Sequence, residues 1–208
     1  MIPLVARQHL AQDPLLAPLL EKITVEGRPD FGGDVYFGLI RSIAYQQLSG
    51  KAAGTIFGRF LELFPDHYPE PERLLSFSEA DLRAVGLSRG KANYMQNVAA
   101  YFQEEKLFSV DWDSMDDDTI IQKLTPIKGI GKWTVEMVLM FLLGREDVLP
   151  LDDLVVRNRM VDLLGLEELK GRAQTRALME AAEKWRPYRS WASRLMYAWE
   201  HARRKAKT

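Results

Sequence analysis

Residues 132–144, KWTVEMVLMFLLG, are apolar nearly all the way round a helix. A helix with one apolar stripe can lie on a surface, but one that is apolar on every side has to be enclosed by other elements. The segment therefore fixes a plan: a buried central helix, stopped at Gly144, with partners packed around it. The partners read as helices too. Apolar residues recur three or four apart through FGLIRSIAYQQLSGKAAGTIFGRFLELF, with Gly50 and Gly54 expected as interruptions. PDHYPEPE reads as a proline-rich loop. SFSEADLRAVGL sets Ser78 and Asp81 at capping-box spacing, with Asp for the usual Glu, and its short helix should end near Gly86. SRGKANYMQNVAAYFQEEKLF is amphipathic, and SMDDDTIIQKL opens on Ser and Asp, which favour a helix start. LDDLVVRNRMVDLLG opens on two carboxylates and closes at Gly165. GRAQTRALMEAAEKW and SWASRLMYAWEHARRKAK supply two further helices. The sequence shows no strand alternation, so the expected fold class is all-α.

With 208 residues the chain can form one large domain or two small lobes around a real core. It holds no run of about 20 apolar residues, so no membrane span is expected. MIPLVARQHL lacks the apolar core of a signal peptide, which makes a cytosolic protein the expectation. The absence of cysteine excludes disulfides, thiol catalysis, Cys-ligated zinc and an ordinary iron–sulfur cluster. His9, His67 and His201 fall in no metal-spaced motif. The 28 basic and 29 acidic residues give a net charge of −1. That balance argues against a broad polyanion-coating surface but leaves room for a local basic face.

The chemistry-bearing stretch is IKGIGKWTVEMV, just before and into the central helix. Its two glycines allow positive φ and let a foreign backbone come close. Their amides, with those opening the next helix, form a donor cluster suited to a phosphate. Carbonyls on the other side of the turn suit a monovalent cation. An ordinary helix–helix turn with a glycine cap carries the same pattern. Some twenty residues later, VLPLDDLVVR places Asp152 and Asp153 at a helix start. Capping uses one of them and leaves the other for chemistry, although both also suit the helix dipole.

Together the motifs SIAYQQLSGKAAGTI, LRAVGLSRGKANYM, LTPIKGIGKWTVEMVLMF, DVLPLDDLVVR and WRPYRSWASRLMYAW resemble the helix-hairpin-helix DNA glycosylase superfamily, and within it the 3-methyladenine DNA glycosylase II branch. The resemblance runs from about residue 35 to 199. It implies two helical lobes with a cleft between them, 36–147 and 1–35 plus 148–208, in a compact form without the N-terminal β-rich domain of some members. It also implies residue roles. Asp153 is the catalytic carboxylate that stabilises positive charge on the deoxyribose, with Asp152 capping the helix. Asp152, five residues before Arg157, is the alternative catalytic acid. Bifunctional members keep a Schiff-base lysine where this chain has Trp133, and Lys132 comes one residue earlier, so a monofunctional enzyme is implied. Trp133, Met137 and Tyr188 resemble a base pocket whose aromatic faces attract cationic alkylpurines. Gln47, with Leu48 next, resembles the wedge that fills the gap left by a flipped base. The amides of Gly129, Gly131 and Thr134, with Lys132, resemble a phosphate grip, and Lys91 is a candidate further phosphate contact. The carbonyls of Thr125, Ile127 and Ile130 resemble ligands of a structural Na⁺ or K⁺, and no cofactor is expected for catalysis.

The resemblance therefore implies a monomeric enzyme that acts on double-stranded DNA and excises 3-methyladenine or 7-methylguanine, in the cytoplasm of a prokaryote or the nucleus of a eukaryote. Three other readings stay open on the sequence: a glycosylase for hypoxanthine or ethenoadenine, a non-catalytic DNA-structure-binding module, and a helical interaction protein.

Overall fold

The computed structural model describes residues 1–27, 32–48 and 50–206. Those residues form helices and connecting turns, with no strand among them. In chain order the helices are α1 (Leu4–Leu10), α2 (Ala17–Lys22), α3 (Val35–Tyr45), α4 (Gly50–Leu61), α5 (Pro71–Ser76), α6 (Glu79–Ala84), α7 (Arg89–Glu104), α8 (Asp117–Leu124), α9 (Lys132–Met137), α10 (Leu154–Leu164), α11 (Gly171–Ala182) and α12 (Arg189–Lys205). None among the described residues is long and apolar enough to cross a membrane.

The chain divides into two compact units, Asp30–Val138 and the combination of Met1–Pro29 with Leu139–Thr208. The sequence-based division at 147/148 lies further along the chain. The intervening residues side with the second unit because Ser190 on α12 holds them. Its hydroxyl donates to the Arg145 carbonyl (2.7 Å) and accepts from the Val148 amide (2.9 Å), and its own amide donates to the Glu146 carbonyl (2.9 Å).

The contiguous unit packs α3 against α7. Leu39, Ile40 and Ile43 on α3 and Met95, Val98 and Phe102 on α7 are all buried at helical spacing. Aromatic rings extend this core: Tyr36 meets Phe102 at 5.4 Å, and Phe60 meets Phe64 at 5.2 Å. Local signals mark several helix ends as the sequence implied. Ser78 and Asp81 form the full capping box of α6, and Asp116 caps α8 by accepting from the Thr119 amide. Two expectations fail. The proline-rich loop is shorter than PDHYPEPE, because Pro71 is the first residue of α5, a position where its missing N–H costs nothing. The interruption between α3 and α4 falls at Gln46 and Gln47, not at the glycines. Gly50 opens α4, and Gly54 lies inside it, where a side chain would meet the Tyr45 hydroxyl at 3.5 Å.

In the second unit Leu10, Leu16 and Leu20 from the N-terminal segment share a core with Val156, Met160, Leu178, Trp185 and Leu195. Polar links fasten the chain ends into it. The Trp185 indole donates to Asp13 (2.6 Å), and the Arg194 guanidinium donates to the Glu26 carbonyl (2.8 Å). α10 stops at Gly165, whose φ of 64° supplies the left-handed cap that the sequence indicated.

The central apolar segment is helical, but not uniformly α. α9 passes into a π-helical turn over Val138–Leu142, and Gly144 ends it at φ 70°. π turns are uncommon and recur at functional sites.

Candidate functional site

The hairpin turn before α9 gives its two glycines different jobs. Gly129 has φ 103°, and a Cβ there would lie 2.3 Å from Cγ of Tyr94 on α7. It is glycine because the backbone is left-handed and a ring is pressed against it. Gly131 has φ −94° and ψ 169°, an ordinary N-cap geometry, and a Cβ there would meet nothing within 4 Å. Gly131 thus leaves its Cα side open, whereas Gly129 has that side filled by Tyr94. Among the described residues, the amides of Gly129 and Gly131 make no hydrogen bond. The Asn97 side chain braces the turn by donating to the Lys128 carbonyl (3.1 Å).

Thr134 does not belong to the expected grip. Its amide is already committed to the Gly131 carbonyl (2.9 Å) in the first turn of α9, and its side chain is buried beside Gln46. Lys132 is exposed at the start of α9 and pairs at 3.5 Å with Glu136, one turn on. Glu136 is a buried acid that the sequence reading passed over. The i, i+4 Lys–Glu spacing was its one visible signal. Trp133 and Met137 also lie one turn apart on α9, and both are half-buried.

The carbonyls named for a cation are those of Thr125 at the end of α8 and Ile127 and Ile130 in the turn. Ile127 also accepts the Ile130 amide (2.9 Å). These are neutral oxygen donors, and no cluster of acids or histidines able to hold a metal occurs among the described residues. Such a donor set fits a monovalent ion better than a divalent one.

The expected wedge residues sit at the tip of the α3–α4 connection. Gln47 is exposed with φ 58°, and Leu48 is 41% exposed. Lys91 is not an idle surface lysine. Its ammonium donates to the carbonyls of Ala44 and Gln46, at 2.8 Å each. Desolvation by burial pulls its pKa below the ordinary lysine value. No helical periodicity could have indicated this, since the partners are backbone atoms far away in sequence.

In the second unit the two neighbouring acids separate cleanly. Asp153 is the N-cap of α10: one carboxylate oxygen accepts from the amides of Val155 (2.8 Å) and Val156 (3.0 Å), and the residue is only 8% exposed. Asp152 is exposed. The cap therefore belongs to Asp153, not to Asp152 as the resemblance implied, and because it engages one oxygen of the carboxylate, capping does not by itself hand the chemistry to the other aspartate. The two amides fix the rotamer of the buried carboxylate. The segment that carries it is anchored by Arg157, which reaches back to the Leu151 carbonyl (3.4 Å) and across to Thr175 on α11 (3.0 Å). Tyr188 caps α12, with its ring edge-on to His9 at 5.4 Å and packed on the core of the second unit. At least one flank of this ring is thus used in packing.

Comparisons with known proteins bear on the fold as a whole. A 3-methyladenine DNA glycosylase of Schizosaccharomyces pombe, solved with abasic DNA, superposes with a TM-score of 0.78 and 30% identity over 93% of this chain and 95% of its own. A DNA-3-methyladenine glycosidase of Bacillus halodurans gives 0.76 and 32%, over 99% and 92%. In sequence, DNA-3-methyladenine glycosylase 1 of S. pombe is 40% identical over 125 residues, 59% of this chain and 55% of that protein. The chain spans little more than half the length of the first curated relatives it matches. The family model described as "HhH-GPD superfamily base excision DNA repair protein" matches residues 40–187, well over half of the sequence, and the chain belongs to that superfamily.

Proposed function

We propose that this chain is a monofunctional DNA glycosylase that releases cationic alkylated purines, such as 3-methyladenine and 7-methylguanine, from double-stranded DNA in base excision repair. The observation that carries the reading is Asp153, a buried carboxylate locked by two amides at the head of α10. In the reaction the bond between C1′ of the deoxyribose and the purine nitrogen breaks, and its electron pair leaves with the base. An alkylated purine already carries the positive charge, so it departs neutral and needs little general acid. The sugar takes on oxocarbenium character, which the Asp153 carboxylate stabilises, and water then adds to C1′ and gives up a proton. Because the carboxylate is fixed beforehand, it does not have to reorganise as the charge appears.

On this reading Trp133 and Met137 provide the face for the cationic base, with Tyr188 as a second aromatic. Gln47 and Leu48 enter the stack when the base is flipped. The Gly129 and Gly131 amides and Lys132 hold a phosphate, and the carbonyls of Thr125, Ile127 and Ile130 hold a Na⁺ or K⁺ that rigidifies the turn. The enzyme works as a monomer. With tryptophan after the hairpin, no amine stands ready to attack the sugar, so there is no lyase step.

Chromatography of bases released from methylated DNA tests the proposal. Wild-type protein should free methylated purines, and Asp153→Asn should not. Full release by both Asp153→Asn and Asp152→Asn would sink it. A panel of single-lesion duplexes separates alkylpurine release from release of hypoxanthine or ethenoadenine.

A further inference from the structure

We infer that Lys91 is a positioning residue for the wedge: it locks the turn at residues 46–48 so that Gln47 and Leu48 stand ready to enter the base stack. The inference rests on the wedge reading of Gln47 and Leu48. The last carbonyls of a helix have no intrahelical donor, and many helices satisfy them with a left-handed glycine beyond the end. At the end of α3 the chain does otherwise. Gln46 follows in extended geometry, and Gln47, which is not glycine, takes the left-handed conformation at φ 58°. The missing donors come from outside. The Lys91 side chain, near the start of α7, brings its ammonium to the carbonyls of Ala44 and Gln46, one on each side of the helix end. A second tie runs from the Gln46 side chain toward the Thr134 hydroxyl on α9, at 3.5 Å.

The tip that these ties hold carries an exposed amide and a 41% exposed leucine, and neither adds to the core. An unfavourable backbone conformation held from two neighbouring helices, with exposed side chains at its apex, is what an inserting element needs. A loose tip would have to lose its freedom while pushing bases apart, and that entropy cost falls on the flipping step. A lysine that served only to cap α3 would matter for stability alone.

The test uses the full chain and a duplex with a tetrahydrofuran abasic site opposite 2-aminopurine, whose fluorescence rises when it is unstacked. At saturating wild-type protein the fluorescence should rise. Lys91→Met should lose most of that rise, lower duplex affinity by about tenfold to a hundredfold, and keep affinity for the single abasic strand within about twofold of wild type. Lys91→Arg, which keeps two donors, should restore the rise. In the free protein, amide hydrogen exchange at 46–48 should quicken in Lys91→Met. Should Lys91→Met fail to fold, Lys91→Gln takes its place.

Gln47→Ala and Leu48→Ala separate the two layers of the argument. If neither changes the fluorescence, the wedge assignment fails and the proposal with it. If either removes the rise while Lys91→Met keeps it, the wedge stands and the role of Lys91 is overturned. Equal losses on duplex and single strand also overturn it, because they mark a structural residue. Base release by the wild-type protein reads the glycosylase assignment separately.

Discussion

Alanine at Gly129 and alanine at Gly131 are chemically the same change two residues apart, and they should fail in opposite ways. At Gly129 the backbone has φ 103°, and the new Cβ would lie 2.3 Å from Cγ of Tyr94 and 2.8 Å from its Cβ. The ring cannot swing clear, because its own point of attachment is too close. Left-handed strain at a non-glycine residue costs about 1–3 kcal/mol. Overpacking adds about 1–3 kcal/mol more. The sum, about 2–6 kcal/mol, is a large share of the 5–15 kcal/mol or so that holds a typical domain together. At Gly131 the backbone is ordinary and the added methyl meets no atom within 4 Å. There the stability loss should stay near 0.5–1 kcal/mol, the difference between glycine and alanine at an N-cap. On the proposed phosphate grip that methyl would stand in the phosphate's way, so duplex affinity should fall about tenfold, or about 1.4 kcal/mol. Urea unfolding of both variants, paired with duplex binding at one fixed salt concentration, reads both quantities. Adding Tyr94→Ala to Gly129→Ala should recover part of the packing loss and none of the backbone strain. A Gly129→Ala protein as stable as wild type, or a Gly131→Ala protein with full duplex affinity, would refute the division of labour between the two glycines.

Asp153→Asn should lower base release by about a hundredfold to a thousandfold while unfolding within about 0.5 kcal/mol of wild type, because asparagine caps helices as well as aspartate does; Asp153→Ala should lose the same activity and also about 1 kcal/mol of stability. Borohydride added during turnover should leave no covalent protein–DNA adduct, and an adduct visible on a denaturing gel would contradict the assignment at Trp133. Burial pushes the Asp13 carboxyl upward, but hydrogen bonds from the Trp185 indole and the Leu15 amide, with the Lys184 ammonium, outweigh it and hold the pKa below the ordinary 3.8. The stability this contributes is complete above the unfolded-state value and is lost as pH falls through the folded one, so far-UV circular dichroism should report an acid-unfolding step below about pH 4 that Asp13→Asn flattens. If phosphates are gripped at the hairpin, the logarithm of duplex affinity should fall linearly with the logarithm of salt concentration, and Lys132→Gln should make that slope shallower by about one.

The fold was legible where local chemistry decides the outcome. The capping box at Ser78 and Asp81, the left-handed stop at Gly165 and the apolar periodicity of α3 and α7 depend on residues within a turn or two of one another, so the sequence carries them openly. It misled where partners come from afar. Gly50 and Gly54 looked like breaks, yet the break is at Gln47, because Lys91 supplies the helix-ending contacts and Tyr45 takes the space beside Gly54. Asp152 and Asp153 are equally good caps on paper, and only the position at which the backbone turns into α10 chooses between them. Thr134 lost its expected role for a similar reason, since the first turn of α9 closes on its amide. The π turn after Met137 left no compositional trace, being a matter of how one apolar segment is accommodated by its neighbours. The candidate site thus divides in the same way: residue types and spacing were readable, and the hydrogen bonds that assign each its task were not.

One unit of this protein is a single run of chain, Asp30–Val138, and the other is assembled from both sides of it. During synthesis that order has a direct consequence. The contiguous unit can fold as soon as it clears the ribosome, whereas Leu10, Leu16 and Leu20 have emerged first and must wait for Trp185 and Leu195 to reach them. At about 5–20 residues per second the wait lasts roughly 10–35 seconds. Through that interval the nascent chain carries a sticky, half-made core ahead of the contiguous unit, and the hydrogen bond from Trp185 to Asp13 can close only once Trp185 has emerged.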